Sequence, residues 1–146
     1  MSRRILVVGL GRFGAAVATG LFQRGCEVMA VDRDMEIVSE FRDRVSYALE
    51  LDATDPEALR SVDAGSCRIA IVAIGEDFES AVLAVAALKE CGVPRVVARA
   101  GNPRRARILR AVGADEAIEV ETEVGQRLAE SLAEESDRAT ERRASG

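Results

Sequence analysis

The sequence predicts an α/β domain, with a doubly wound parallel sheet of six strands and helices on both faces. Three observations lead to this prediction. Short apolar runs alternate along the chain with segments whose apolar residues recur at helical spacing. The links between them are short, and parallel strands joined in this way need right-handed helical crossovers. The most continuous apolar run, at 68–75, is typical of a central strand buried on both faces.

Local signals place the individual elements. Asp34 and Asn102 stand where a side chain caps a helix, and either Thr54 or Asp55 caps the short helix that begins at Pro56. We predict strands at 5–8, 27–32, 45–51, 68–75, 94–98 and 117–120, and helices at 13–24, 35–42, 56 onward, 79–90 and 103–112.

The C-terminal part of the chain is rich in Glu and Arg. It carries one apolar stripe, at Val124, Leu128 and Leu132, which has disappeared by about residue 136. We therefore predict one folded domain over residues 1–135 and a disordered charged tail over 136–146.

A glycine-rich turn near the start carries the strongest functional signal. The apolar run Ile5 to Val8 stops at Gly9, and Gly11 and Gly14 then complete G-x-G-x-x-G just before a helix. The first glycine permits a sharp turn, the second lets the backbone approach a diphosphate, and the third lets the helix pack closely on the strand. This context predicts a Rossmann-like fold whose first helix binds phosphate groups with its free N–H groups.

An acidic residue stands where such a fold binds a ribose. Asp32 ends the second strand, about 20 positions beyond the glycines. Its carboxylate accepts hydrogen bonds from both ribose hydroxyls and repels a 2′-phosphate, which favours NAD or an adenosine nucleotide over NADP. The neighbouring Arg33 weakens that preference. The alternative from the residues alone is a tight turn with an empty site.

Two further strand ends supply candidates for the same site. Asp52 follows the third strand and Gly75 ends the fourth, at the edge where open parallel sheets bind ligands. Asp55 is explained at least as well as a helix cap. For Asp52 the structural and the ligand-binding interpretations both stay open.

Composition excludes several classes of function. A net charge of −5, with no Lys/Arg cluster on a helix or strand face, argues against nucleic-acid binding. Histidine, the commonest general base, is absent. The apolar runs are too short for a signal peptide or a membrane span. Three scattered cysteines indicate a cytosolic chain without disulfides.

The motifs, taken in order, resemble those of the RCK N-terminal domains. These are the TrkA-N or KtrA-type subunits that regulate bacterial potassium transport. The resemblance covers residues 3 to 132. It is carried by Gly9-Leu-Gly-Arg-Phe-Gly14, the strand that ends at Asp32, Asp52-Ala-Thr-Asp55, Ala73-Ile-Gly75, Leu88-Lys-Glu-Cys-Gly-Val93, Ile108-Leu…Gly-Ala-Asp115 and Glu121…Gly125.

This resemblance implies a cytoplasmic subunit, peripheral to the inner face of the membrane through its partner. Such subunits form dimers and often rings, bind NAD(H), ATP or ADP, and gate a membrane potassium transporter or channel. It also implies that Arg12 reaches the phosphates, in some members across a dimer contact, and that Glu121 binds a divalent cation between subunits. The implied nucleotide site comprises Gly9, Gly11, Arg12, Phe13, Gly14, Asp32, Arg33, Asp52, Ala53, Thr54, Ala73, Ile74, Gly75 and Arg99.

The chain departs from the family pattern at three positions. Leu51 replaces a common glycine, Val120 a common proline and Arg105 a common histidine. The last two weaken the inference of a subunit contact and its cation. The sequence also lacks the smaller C-terminal lobe of full-length members, so it is either an excised N-terminal lobe or a short natural member.

Two other functions stay open. A similar glycine string opens dehydrogenases of the 3-hydroxyacid type, so the chain is alternatively the NAD-binding fragment of such an enzyme. Hydride transfer needs a proton donor or acceptor beside the substrate, and a chain with no His and a single lysine offers little for that role. We therefore expect no catalysis. The second alternative is a nucleotide-binding module that serves a partner unrelated to potassium.

Overall fold

A computed structural model describes residues 3–145 of the chain. Within them, strands and helices alternate, and one turn of 3₁₀-helix at Ala64–Ser66 precedes the fourth strand. The elements are β1 (Arg4–Val8), α1 (Arg12–Gln23), β2 (Glu27–Asp32), α2 (Met35–Phe41), β3 (Tyr47–Glu50), α3 (Pro56–Ser61), β4 (Ile69–Val72), α4 (Phe78–Glu90), β5 (Arg95–Ala100), α5 (Pro103–Val112), β6 (Glu116–Glu119) and α6 (Val120–Ser145).

The strands form one parallel sheet in the order β3-β2-β1-β4-β5-β6. The chain winds outward from β1 to β3, returns to the centre at β4, and winds outward again to β6. The predicted doubly wound sheet of six strands is therefore confirmed. A crevice opens at the carboxyl ends of β1 and β4, where the winding direction reverses, and sheets of this kind bind their ligands there.

Each face of the sheet has its own apolar core because side chains alternate along a strand. Val7 packs on one side with residues of α1 and α2, among them Ala18 and Phe41. Leu6, next to it in β1, packs on the other side with α3, α4 and α5. The largest side chains of that second core include Leu59, Leu88 and Leu109, all fully buried. Both faces of the central strands are thus covered by helices.

The C-terminal segment differs from its prediction. Instead of a disordered tail from residue 136, α6 continues as helix to Ser145, and only Gly146 of that tail lies outside the described residues. The composition of Ala, Glu and Arg favours a helix, and Arg138 lies 3.9 Å from Glu134 one turn earlier. No side chain of α6 is buried. Within residues 3–145, no helix has the length and apolar content of a membrane span.

Candidate nucleotide-binding site

The turn after β1 needs a glycine at its first position. Gly9 has a φ of +93°, a conformation that costs a residue with a Cβ. An added Cβ would also lie 3.3 Å from the backbone of Ala73 and Ile74. The Gly9 N–H donates to the Val31 carbonyl oxygen at 2.9 Å, so the turn is fixed between the ends of β2 and β4.

The third glycine of the motif holds α1 against this turn. A Cβ on Gly14 would overlap the carbonyl oxygen of Gly9 and lie 3.1 Å from the Cβ of Ala73. Only a residue without a side chain permits so close an approach. Ala73 is itself buried beneath the turn, so its side chain contributes to packing.

The N-terminus of α1 has no cap. Gly11 occupies the N-cap position without a side chain to accept a hydrogen bond, and the first turn contains no acidic residue. An added Cβ on Gly11 would meet nothing within 4 Å. The first hydrogen bond of the helix runs from the Ala15 N–H to the Gly11 carbonyl oxygen at 2.8 Å. The N–H groups of the three residues between them stay available to an anion, because an α-helix satisfies none of its first amides internally.

Asp32 fixes the same turn from the end of β2. One carboxylate oxygen accepts from the Leu10 N–H at 2.8 Å, and the other accepts from the Asp34 N–H at 2.9 Å. A carboxylate oxygen accepts more than one hydrogen bond, so both retain capacity for ribose hydroxyls. The two backbone contacts also hold the carboxylate in a single orientation.

A cavity of about 140 Å³ lies at the carboxyl ends of β1, β2, β3 and β4. It brings together seven of the predicted site residues: Gly9, Asp32, Arg33, Asp52, Ala53, Thr54 and Ile74. The remaining seven do not line it. Of these, Gly11, Arg12, Phe13 and Gly14 form the start of α1, Ala73 is buried, and Gly75 and Arg99 lie farther along the edge.

Asp52 is held by the residue two positions after it. Its carboxylate accepts from the Thr54 hydroxyl at 2.6 Å and from the Thr54 N–H at 3.0 Å. These hydrogen bonds, the hydroxyl first and the backbone second, lower the pKa of Asp52. Asp55 instead caps α3 by accepting from the Glu57 N–H at 3.0 Å, so between the two predicted caps the structure selects Asp55 over Thr54.

Sequence reasoning missed several residues of the cavity wall. Val8, Val31 and Leu51 are apolar residues at strand ends, while Asp77 and Ser80 begin α4. Asp77 follows the carboxyl end of β4 by only a few residues, and that position was the available signal.

Arg99 connects the glycine turn to α6. Its guanidinium lies over the Phe13 ring, 5.7 Å from the centroid, and donates to a carboxylate oxygen of Glu121 at 2.7 Å. A Cβ on Gly75 would stand 3.2 Å from the same guanidinium. One side chain thus contacts the first turn of α1 and the first turn of α6.

Glu121 does not stand in a cation site within one chain. Its pKa is lowered, first by a hydrogen bond to its own backbone N–H and then by Arg99. Nowhere between residues 3 and 145 do three or more His, Cys, Asp or Glu side chains come together as metal ligands would. The cation site that the resemblance implies between two subunits stays a prediction.

Arg12 is exposed, and within residues 3–145 it forms no ion pair. It occupies the first position of α1, beside the uncapped amides. Its charge is therefore available to a ligand or to another molecule.

Comparison with known proteins supports the assignment of the fold. Residues 5–120 match the family model of the TrkA-N domain. Over 132 residues the chain is 34% identical to the Ktr system potassium uptake protein C of Bacillus subtilis (strain 168), which covers 90% of this chain and 60% of that protein. Over 130 residues it is 35% identical to the Ktr system potassium uptake protein A of Vibrio alginolyticus, with 89% and 59% covered. The chain thus spans about 60% of the length of these relatives.

Solved structures share the same architecture. The TrkA-N domain of the inner membrane protein ybaL from Escherichia coli matches with a TM-score of 0.81 at 21% identity, over 90% of this chain and 98% of that one. The GsuK RCK domain matches with a TM-score of 0.70 at 27% identity, over 93% and 29%. The GsuK channel bound to NAD gives 0.73 at 16% identity, over 88% and 23%. The AMP-bound Kef CTD of Shewanella denitrificans gives 0.71 at 23%, over 89% and 79%.

Proposed function

The chain belongs to the TrkA-N domain family, and from this premise we propose that it is a nucleotide-sensing regulatory domain of a potassium transport system. One observation carries the proposal: the N-terminus of α1 is uncapped and lies beside a carboxylate already fixed in orientation. Free amides at a helix start bind phosphate groups. A carboxylate about 20 residues farther on binds the ribose.

The ligand class that fits is a nucleotide that contains a diphosphate group and an unmodified ribose, namely NAD(H), ATP or ADP. Asp32 would repel a 2′-phosphate, which disfavours NADP. The apolar side chains of the cavity, Val31, Leu51 and Ile74 among them, suit a purine ring. Two structures of the same fold are complexes with NAD and with AMP, which supports an adenosine nucleotide as the ligand, and NAD also contains the diphosphate.

The transport role is proposed from the Ktr relatives, which are potassium uptake proteins. In this role the chain acts at the cytoplasmic face of the membrane, bound to a potassium transporter or channel subunit, and it assembles as a homodimer or a larger ring. It catalyses no reaction. A transport regulator needs only to bind its ligand and change its arrangement.

We propose that ligand-dependent switching operates through two arginines. Arg12 contacts the terminal phosphates, across a dimer contact where one forms, so that ligands with different phosphates favour different subunit arrangements. Only a difference in affinity between two states shifts their equilibrium. Arg99 links the same helix start to α6 through Phe13 and Glu121. A change at the phosphates thereby reaches the helix that leads away from the domain.

The test is calorimetric titration of the chain with NAD, NADH, ATP and ADP, with the molecular mass measured in each state. We expect binding of at least one of these ligands, and a mass that depends on which is bound. The Arg12→Ala variant should lose discrimination between ligands more than it loses affinity for adenosine.

The matched control is Arg107→Ala, since Arg107 is also exposed and lies on α5 without lining the cavity. That variant should bind every ligand as the unmodified chain does. If Arg12→Ala weakens all ligands by the same factor, switching through Arg12 is rejected. If no ligand binds, the proposed function itself is rejected.

A further inference from the structure

A second hollow lies at the opposite edge of the sheet, where the strands begin. We call it the amino-edge hollow; four arginines line it, Arg3, Arg4, Arg68 and Arg95. Its volume is about 560 Å³, within the range of pockets that hold small molecules. Nothing in the nucleotide site accounts for it, because the two lie at opposite ends of the strands.

The floor of the amino-edge hollow is apolar. Ile5 of β1 and Ile69 of β4 are register partners on adjacent strands, so their side chains project from the same face of the sheet. Both are only half-buried. Arg95 is the register partner of Ile69 on the next strand, so it rises from the same face at the side of this floor.

Two of the four arginines are held in place by acidic neighbours. Arg4 donates through Nε and Nη2 to one carboxylate oxygen of Glu27, at 3.2 and 3.0 Å, and also lies over the Tyr47 ring. Arg95 pairs with Glu116. These contacts orient the guanidinium groups in advance, which lowers the cost of ordering them around a ligand.

The other two arginines have no such neighbour. Arg3 and Arg68 are exposed, and neither forms an ion pair with any residue between 3 and 145. Glu27 and Glu116 pair with two of the four guanidinium groups. Asp115 also interacts with the charge of Arg95, but it is paired with Lys89, so positive charge is left in excess. This excess is notable in a chain whose net charge is −5.

We propose that the amino-edge hollow is a binding site for an amphipathic anion, a phosphate or carboxylate carried on a short apolar chain. The guanidinium groups match the geometry of either anion and donate two parallel hydrogen bonds to it. The apolar chain covers Ile5 and Ile69, which water otherwise contacts. Such a group occurs on soluble metabolites and on the anionic lipids of a bilayer.

Cys26 supplies a reporter because it is half-buried in the wall of the amino-edge hollow. Cys91, also half-buried, packs with the core on the opposite face of the sheet and does not line the hollow, so it serves as the internal control. Cys67 is buried, and burial raises the pKa of its thiol to about 11, so it reacts slowly. The rate of Cys26 alkylation by uncharged iodoacetamide therefore reports occupancy of the hollow.

The experiment measures this rate in the presence of hexyl phosphate, inorganic phosphate or hexanol. We expect hexyl phosphate to slow alkylation of Cys26 and to leave Cys91 unchanged, whereas the other two compounds protect much less. Removing one charged hydrogen-bonding partner, as in Arg68→Gln, should raise the concentration of hexyl phosphate needed for protection by roughly tenfold. The control Arg107→Gln should leave it unchanged.

Vesicles distinguish an anionic lipid headgroup from a soluble anion as the ligand. Protection of Cys26 by phosphatidylglycerol vesicles, but not by phosphatidylcholine vesicles, would identify a lipid headgroup as the ligand. Protection by hexyl phosphate alone would identify a soluble one. Equal protection by hexanol or inorganic phosphate, unaltered protection in Arg68→Gln, or no protection at all would overturn the proposal.

Discussion

The starts of α1 and α5 lie on the same edge of the sheet and differ in one respect. At α5 the Asn102 side chain accepts from the Arg105 N–H at 2.8 Å, and Pro103 fills the first helical position. At α1 Gly11 offers no side chain and the amides stay free. The starts of α2, α3 and α4 resemble that of α5, because aspartate side chains cap all three.

The difference matches the positions of the two helices in the sheet. The helix α1 begins beside β1 and β4, where the winding reverses and the edge opens, whereas α5 follows the penultimate strand β5. A cap contributes about 1 kcal/mol to stability, and among α1 to α5 only α1, at the crevice, lacks a side-chain cap. Under the proposed function, a bound phosphate replaces the cap that α1 lacks.

The largest effect on stability should come from adding a methyl group where α1 contacts the glycine turn. Gly14→Ala places a Cβ against the Gly9 carbonyl oxygen and should lower the free energy of unfolding by about 3 kcal/mol. Gly20→Ala, in the same helix, meets only the flexible end of Arg24 and should raise it by about 0.5 kcal/mol. Urea denaturation measures both. Equal stability of the two variants would mean that the close approach is not required.

A side-chain cap introduced at the start of α1 should raise the stability of the fold and lower its affinity for a nucleotide. Gly11→Asp has room for its side chain, so it should stabilise the fold by about 0.5 kcal/mol through the amides and the helix dipole. The same carboxylate would occupy and repel the phosphate position, so the affinity for ADP should fall by at least roughly tenfold. Thermal denaturation measures the stability, and calorimetric titration measures the affinity for ADP.

The matched control removes the cap of α5. Asn102→Ala should cost about 1 kcal/mol of stability and leave the ADP affinity unchanged, since Asn102 does not line the cavity. Undiminished ADP affinity in Gly11→Asp would mean that the α1 amides do not hold the phosphates. An equal loss of affinity in Asn102→Ala would show that the effect arises from general destabilisation.

The smallest effect concerns pH. Asp77 accepts from the Ser80 hydroxyl at 2.7 Å and from its N–H at 3.1 Å, and these bonds lower the pKa of Asp77. Because the pKa is lowered in the folded state, the stabilisation is complete above the ordinary value of 3.8 and is lost as the pH falls through the lowered value. The start of α1 has no acidic side chain as a cap and therefore no hydrogen bond of this kind.

Replacement of the hydroxyl isolates this contribution. In Ser80→Ala the pKa of Asp77 should rise toward its ordinary value, and a carboxyl NMR titration measures the change. The carboxyl of Asp115, whose pKa is lowered by hydrogen bonds from the Val96 N–H and Lys89, is the reference and should titrate as before. An unchanged titration of Asp77 would show that the Ser80 hydroxyl does not stabilise its carboxylate.

Local patterns predicted most of the fold because each depends on neighbours in sequence. The parallel, doubly wound sheet follows from the short links and right-handed crossovers, and the cap at Asp34 and the turn at Gly9 follow from residue type. The end of the apolar stripe predicts disorder from residue 136, whereas the structure continues as helix to Ser145. Helix propensity and pairs such as Arg138–Glu134 supply support without burial.

The candidate site was only partly predictable. Gly9, Asp32 and Asp52 carry sequence signals, and the structure brings them to one cavity. The contact between Arg99 and Glu121 spans 22 positions in sequence, and no periodic pattern marks such a pair. Phe13 is recognisable in the sequence as part of the glycine motif. Nothing in the sequence indicates that its ring lies beneath Arg99.

The central claim is that the uncapped amides of α1 bind a nucleotide diphosphate. Titration of ¹⁵N-labelled chain with ADP, followed by two-dimensional NMR, observes those amides one by one. We predict that the largest shifts fall on the N–H groups of Arg12, Phe13 and Gly14, while those at the start of α5 stay in place. Saturable binding of ADP that leaves these three amides unmoved would contradict the account.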